Sequence, residues 1–438
     1  MPINSQFTIS RRFVNSEFID ARKHASYDVR MTRMGGAEVP DRPLKIGYCL
    51  SLSGGLAANG RAARLAHQIW QEDVNARAGI LGRPVELLCL DDETKPDAVA
   101  GLYRRLLDTE KVDLVIGGYG DNSVAPAMPL ITERGKFFVG LMALAVQARF
   151  HYDRYFVMIP TGPHPGTALT EGFFDVLARQ NPKPETVAIL AADAPFSLLP
   201  VQGAKENLAH NGMRVVSETR YPLATADFRP YIDDLRTAAP DVLFLCSYIN
   251  DSAGLLKAIG EAGFEPKAIG GAMIGPQNGV VKAQLGPLLN GLINYEYWLP
   301  VEGLVNAAAD ALLERYQARA QAEGADPLGY YVAPLAYAQM QVVAQAISAV
   351  GSVDDAALAA YAHSATFGTL VGDVTFGDDG AWTRSRVLTV QFHGIESNEI
   401  AQFRSAATEA VVHPRGPSTS QLIYPYAAAK RPQPSATS

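Results

Sequence analysis

Pro43–Asp92 reads PLKIGYCLSLSGGLAANGRAARLAHQIWQEDVNARAGILGRPVELLCLDD, and its reading decides the fold. Lys45–Leu50 is an apolar run of strand composition that ends in a glycine-rich loop, Ser51–Gly60. Ala63, Ala66, Ile69, Trp70 and Val74 then fall at spacings of three and four, the period of a helix with one buried face. Gly79 and Gly82 punctuate, and Val85–Leu90 reads as a second buried strand. Strand, helix, strand in this order is one βαβ unit, which implies a parallel sheet covered on both faces. The loop after its first strand lies at a carboxyl end of that sheet, where open parallel sheets bind ligands.

The rhythm continues outward. Val99, Leu102, Leu106 and Leu107 mark a helix, Val112–Ile116 a strand, and Gly117–Asn122 its exit loop. A helix is expected from Ser123, a fourth strand at Phe137–Leu141 that exits through Met142–Ala145, and a fifth at Tyr155–Ile159. Pro160–Pro163 breaks the pattern, and a second series follows. Its helices are expected at Gly166–Arg179, Val201–Asn211, Asp227–Thr237 and Ala253–Ala262. Its strands are expected at Thr186–Leu190, Arg214–Glu218, Val242–Leu245, Lys267–Gly270 and Leu292–Tyr297. Two alternating series of similar length imply two doubly wound α/β domains. Asn306–Glu323 and Ala333–Val350 are amphipathic helices without strands of their own. Phe376 and Val387–Phe392 read as hairpin strands, so both groups fit as elements added back to the two domains.

Composition narrows the function. The 438 residues are 48% hydrophobic and 19% charged, a globular composition with a sizeable core. The net charge of −7 is spread without blocks, which argues against nucleic acid or an anionic membrane surface as partner. No apolar run approaches the ~20 residues that span a bilayer, so no membrane insertion is expected. Cys49, Cys89 and Cys246 form no CxxC or metal-like cluster; Cys49 and Cys89 sit in expected core strands, and a disulfide between them stays open.

Several chemistries are excluded by missing motifs. Leu52-Ser53-Gly54-Gly55 matches a transporter-ATPase signature, yet no GxxxxGK[ST] phosphate loop accompanies it. The glycines at 54, 55 and 60 do not make a dinucleotide fingerprint. There is no HExxH, no GxSxG and no believable nucleophile–base pair, so neither enzyme activity nor a cofactor or metal is expected. What remains is a set of polar and aromatic strand exits. Ser53 follows the first strand, Tyr119, Asp121 and Asn122 the third, and Ala143 and Ala145 the fourth. Phe196, Tyr248 and Met273 take corresponding places in the second series. Taken singly, each is better explained by structure: Asn122-Ser123 or Asp121 as a cap for the following helix, the aromatics as core. Taken together, they suit a cleft for a small organic ligand.

At this point the sequence resembles a known family. Lys45-Ile46-Gly47 with Ser53-Gly54-Gly55 and Gly60, Val74–Pro84, Asp91-Asp92 with Pro96, Val115-Ile116-Gly117, Asp227-Phe228, Pro240-Asp241-Val242, Ala336-Tyr337 and Gly372–Phe376 with Gly380 are similar to the leucine/isoleucine/valine-type substrate-binding proteins of bacterial ABC transporters. The resemblance spans Leu44–Gln391. It implies two doubly wound parallel-sheet lobes joined by a hinge of three crossings, the type I periplasmic binding protein fold. The expected lobes are 43–160 with 299–366, and 161–298 with 367–405, with crossings near Pro160, Tyr297–Pro300 and Phe367–Gly372. The implied function is a monomeric periplasmic receptor that traps a small polar solute, an amino acid or related compound, and delivers it to transporter permease subunits.

Two departures qualify that implication. Amino-acid binders of this family hold the ligand carboxylate with serine and threonine after the third and fourth strands. This chain puts Asp121 and Leu144 there, and Met273 stands near the expected ammonium-binding acid. The segment 1–42 reads as a polar, disordered leader; Ser10-Arg11-Arg12-Phe13 resembles a twin-arginine start without the apolar segment that should follow. A cytoplasmic amide or amino-acid sensor of the same fold is therefore the second expectation. Residues 406–438 read as a tail, with Leu422-Ile423-Tyr424 able to dock.

Overall fold

The computed structural model describes residues 42–430; the expected leader and the last residues of the tail lie outside them. The first series gives strands β1 (Leu44–Leu50), β2 (Val85–Asp91), β3 (Leu114–Val115), β4 (Phe138–Leu141) and β5 (Tyr155–Met158). The strands β2-β1-β3 form one sheet and β4-β5 another. Gly117 N–H donates to Val139 O and Gly120 N–H to Leu141 O, each at 2.8 Å, so the exit of β3 carries the pairing across to β4. The spatial order is thus β2-β1-β3-β4-β5. Glycine at 117 makes the join feasible: a Cβ there would stand 2.7 Å from Gly140 Cα on β4, while one on Gly118 would stand 2.1 Å from Cys49 O on β1.

The second series gives β6 (Thr186–Ala192), β7 (Arg214–Tyr221), β8 (Val242–Ser247), β9 (Ala268–Met273) and β10 (Ile293–Glu296). Two later strands, β13 (Leu388–Phe392) and β14 (Glu409–His413), add to β10 as an antiparallel edge, giving the order β14-β13-β10-β9-β8-β6-β7. The parallel part, β7-β6-β8-β9-β10, repeats the order of the first lobe. In both lobes the first strand sends one connection to its left and the next to its right. Loops diverge at that switch point and leave a crevice at the carboxyl ends of the strands.

Burial follows position in the sheet. β8 is buried throughout, as an interior parallel strand must be, whereas β2 is a half-exposed edge rather than the buried strand its composition suggests. Helix starts differ most from expectation. The first helix spans Ala57–Asn75, beginning inside the expected loop, and its Gly60 lies so close that a Cβ would stand 2.0 Å from Ser51 O. The helix expected from Val201 begins at Pro195, with Pro200 inside it, so Phe196 stands in its first turn. Proline at the first helical position loses no bond, so Pro195 can open the helix six residues before the expected start.

The strandless helices belong to the first lobe. Ala307–Ala320 and Ala333–Val350 pack on the first helix. Buried Gln339 donates to Gly117 O at 2.9 Å and Val139 O at 2.7 Å, pinning this helix to the join of β3 and β4. The hairpin β11 (Thr366–Thr369) with β12 (Gly372–Thr375) rests on the same helix, with Gln345 donating to Gly368 O at 2.9 Å. The last crossing therefore runs later than Phe367–Gly372, where Arg386 N–H meets Pro160 O at 2.8 Å beside the Thr161–Ser385 bridge. The tail is not loose: besides β14, Ile423 N–H donates to Gln391 at 2.8 Å and Tyr424 to Pro182 O at 2.9 Å. All three cysteines are free thiols, and Cys89 is only half-buried on the edge strand.

Candidate functional site

The two crevices face one another across a cavity of about 300 Å³. From the first lobe, its wall takes Gly55, Leu56 and Asn59 after β1, Thr94 after β2, and Tyr119, Gly120, Asp121 and Asn122 after β3. Met142 and Leu144 follow from the exit of β4. The second lobe contributes Pro195 and Phe196 after β6, Leu223 after β7, Tyr248–Asp251 after β8, and Ile274 after β9. Tyr297, just past β10, and Tyr331, before the helix Ala333–Val350, close the remaining side.

Buried hydrogen bonds fix the first-lobe wall. Asp92 accepts Ser51 Oγ at 2.5 Å and Ser123 Oγ at 2.9 Å, tying the exits of β1, β2 and β3 into one knot. Ser53 lies beside this knot rather than on the wall; its hydroxyl donates to Asp91 at 2.8 Å. Asp121 does not cap its own helix. Its two oxygens accept the backbone N–H of Leu144 at 3.1 Å and of Ala145 at 2.9 Å, which holds the exit of β4 against the exit of β3. Burial pushes the Asp121 carboxyl above the ordinary aspartate value, and these two bonds oppose the rise. Ala143 is buried behind the wall, and Ala145 serves through its backbone N–H.

Aromatic groups hold one another in place. Tyr119 and Tyr331 share a hydroxyl–hydroxyl bond of 2.8 Å, and Tyr297 stacks on Tyr331 at 5.9 Å and 13°. Burial raises the Tyr119 phenol to about 12. On the facing wall, Phe196 and Tyr248 meet edge to face at 5.7 Å, and Phe196 N–H donates to the Tyr248 hydroxyl at 2.9 Å. That bond satisfies a free N–H in the first turn of the helix Pro195–His210. Burial likewise raises the Tyr248 phenol to about 12. Asp251 is buried; one oxygen accepts the Tyr221 hydroxyl at 2.7 Å and the other has no partner. Burial again raises its carboxyl, with the Tyr221 bond opposing. Asn59 is also buried, with its amide nitrogen unpartnered.

Of the residues expected from the sequence, Tyr119, Asp121, Asn122, Phe196 and Tyr248 come together on one cavity. Met273 does not join them: β9 runs through it, its side chain is wholly buried, and Ile274 takes the wall position. Tyr297, Tyr331, Asn59 and Asp251 were missed. Asp251 stands three residues past Tyr248 at a strand exit, a legible signal; Tyr331 precedes a helix that gave no local sign of reaching the crevice.

Two facing α/β lobes of like topology, with a solute-sized cavity at both switch points, define a two-lobed binding protein. The chain belongs to the periplasmic binding protein family, whose model matches residues 43–393. Among relatives, the Leu/Ile/Val-binding protein homolog 8 of Brucella abortus is 26% identical over 234 residues, covering 52% of this chain and 57% of that protein, little more than half its length. Among solved structures, a leucine-binding protein, LivK, from Thermotoga maritima superposes with a TM-score of 0.67 at 21% identity, over 81% of this chain and 96% of its own. A solute-binding protein of an ABC transporter from Rhodopseudomonas palustris, in complex with 3,4-dihydroxybenzoic acid, gives 0.67 at 18% identity, over 81% and 94%. These structures share the type I periplasmic binding protein fold with this chain.

Proposed function

We propose that the chain is a non-catalytic receptor that traps one small organic solute between its lobes and presents it to an ABC importer. One observation carries this reading: the cavity wall is drawn from the switch-point loops of both lobes at once. A solute seated there touches both lobes, so it favours the closed arrangement by its differential affinity for it. Leu223, 50% exposed at the cavity, is an apolar group that closure would cover. The relatives support a small organic solute, one named for branched-chain amino acids and one holding an aromatic acid. Periplasmic location and a permease partner come with the family and form part of the proposal.

The test is a thermal-shift screen across amino acids, amides, aromatic acids and amines, followed by small-angle scattering with each solute that binds. A bound solute should raise the melting temperature by mass action and shrink the radius of gyration. Chemical conversion of the bound solute, or no shift from any solute, would remove the receptor reading.

A further inference from the structure

We propose that this cleft selects an organic cation, an amine on an apolar or aromatic body, and turns carboxylates away. The inference rests on the receptor reading and names the ligand class of that same cavity. Its first ground is charge. Among the described residues lining the cavity, Asp121 and Asp251 are the charged ones, and no Lys, Arg or His faces them. An anion entering this cleft would give up part of its water and meet two carboxylates with no opposite charge.

The second ground is which hydrogen-bonding atoms are free. The backbone N–H groups of Leu144 and Ala145 converge at the crevice and would suit a ligand carboxylate, but Asp121 already occupies both. The chain supplies its own carboxylate where a ligand's would otherwise sit. The Asn59 amide nitrogen stays a free but uncharged donor on the first-lobe wall; across the cavity the unmet need is of the opposite kind. Asp251 is 5% exposed and one of its oxygens accepts nothing. A buried carboxylate oxygen without a donor is costly, and an ammonium N–H supplies a charge-assisted donor. Asp251 stands in the first turn of the helix Ile249–Glu261, so it already places negative charge at that helix N-terminus.

The third ground is the wall itself. Five aromatic rings line the cavity, Tyr119, Tyr297 and Tyr331 on one side and Phe196 and Tyr248 on the other. Their faces are electron-rich and attract a desolvated cation, and their area covers an apolar body. Carboxylate, aromatic faces and absent cations all favour the same charge class, in contrast to the 3,4-dihydroxybenzoic acid held by the relative from Rhodopseudomonas palustris.

Calorimetric titration of the full chain with matched solutes tests this. Benzyl, cyclohexyl and isobutyl bodies would each be offered as the amine, the neutral amide and the carboxylate. In the body that fits best, the amine should bind at least tenfold more tightly than the amide and the carboxylate. Asp251→Asn should weaken that amine at least tenfold and leave the amide within twofold. A carboxylate or amide binding as tightly as the amine overturns the inference while the receptor reading stands. An amine whose affinity ignores Asp251→Asn overturns it as well. If no solute of any charge binds the folded protein, the receptor reading falls and takes this inference with it. The ranking on the wild-type chain needs no variant, so a misfolded Asp251→Asn does not spare the proposal.

Discussion

Tyr119 and Tyr331, from opposite ends of the first lobe's sequence, share one hydrogen bond of 2.8 Å between their hydroxyls at the cavity wall. Both rings are buried, so either hydroxyl left alone would lack water as a substitute. Tyr331→Phe should therefore cost about 1–3 kcal/mol of stability, the range for orphaning a buried polar group. The double variant Tyr119→Phe with Tyr331→Phe should lie closer to wild type than the sum of the singles, because it removes both partners together. Urea unfolding of the four proteins measures the coupling; strict additivity would mean that the bond contributes nothing.

Asp121→Ala separates the expected roles of that residue from the observed one. It removes the acceptor of two backbone N–H groups, Leu144 and Ala145, from a largely buried place. The expected loss is about 1–3 kcal/mol, measured as a lower melting temperature without added solute. Asp121→Asn keeps one acceptor oxygen and should recover part of it. An unchanged melting temperature for Asp121→Ala would show that the two bonds do not hold the β4 exit.

Gly60 and Gly55 form a matched pair in the loop and helix after β1. A Cβ at Gly60 would lie 2.0 Å from Ser51 O, a backbone atom that cannot turn away, whereas a Cβ at Gly55 meets nothing within 4 Å. Gly60→Ala should cost about 1–3 kcal/mol, as overpacking does, and should weaken solute binding, because Asn59 next to it lines the cavity. Gly55→Ala should leave stability within ~0.5 kcal/mol. Equal melting temperatures for the two variants would contradict the close approach.

The parts of the fold legible in the sequence were those set by local pattern. β1, β4, β6 and β8 read correctly because an interior parallel strand is a short run of apolar residues with few other readings. β2 misled because Val85–Leu90 has that composition yet lies at an edge, a fact of sheet order and not of sequence. β14 was missed because Glu409–His413 is a short run in a polar tail, and only pairing with β13 makes it a strand. The site divides the same way. Tyr119 and Tyr248 sit where a strand visibly ends, but Tyr331 reaches the cavity through helix packing, and Asp121 found its partners 23 and 24 residues away.

The second lobe holds a fully buried ion cluster whose pH response can be worked out. Lys282 Nζ lies 2.6 Å from Glu409 and 3.5 Å from Glu296, with side-chain exposures of 1%, 3% and 1%. Burial alone would lower the lysine, but Glu409 and Glu296 outweigh it and keep the ammonium charged. Two carboxyls share that one cation. Burial pushes the Glu296 carboxyl well above the ordinary glutamate range; Lys282 opposes the rise and neighbouring Glu409 adds to it. Glu296 therefore keeps its proton in the folded chain at pH values where the unfolded chain has released it. A group raised in this way contributes fully below its unfolded value, ~4.3, and its contribution falls as pH climbs toward the folded value. Glu296→Gln keeps the neutral shape without the titration. It should match wild type near pH 4 and gain on it up to the folded value, by at most about 1.4 kcal/mol per pH unit. Lys282→Met, by contrast, leaves two buried carboxyls without a cation and should cost about 3–5 kcal/mol at pH 7. Urea unfolding at pH 4, 6 and 8 decides the matter: a Glu296→Gln variant that gains nothing on wild type between pH 4 and 6 would mean that Glu296 is ionised inside the fold.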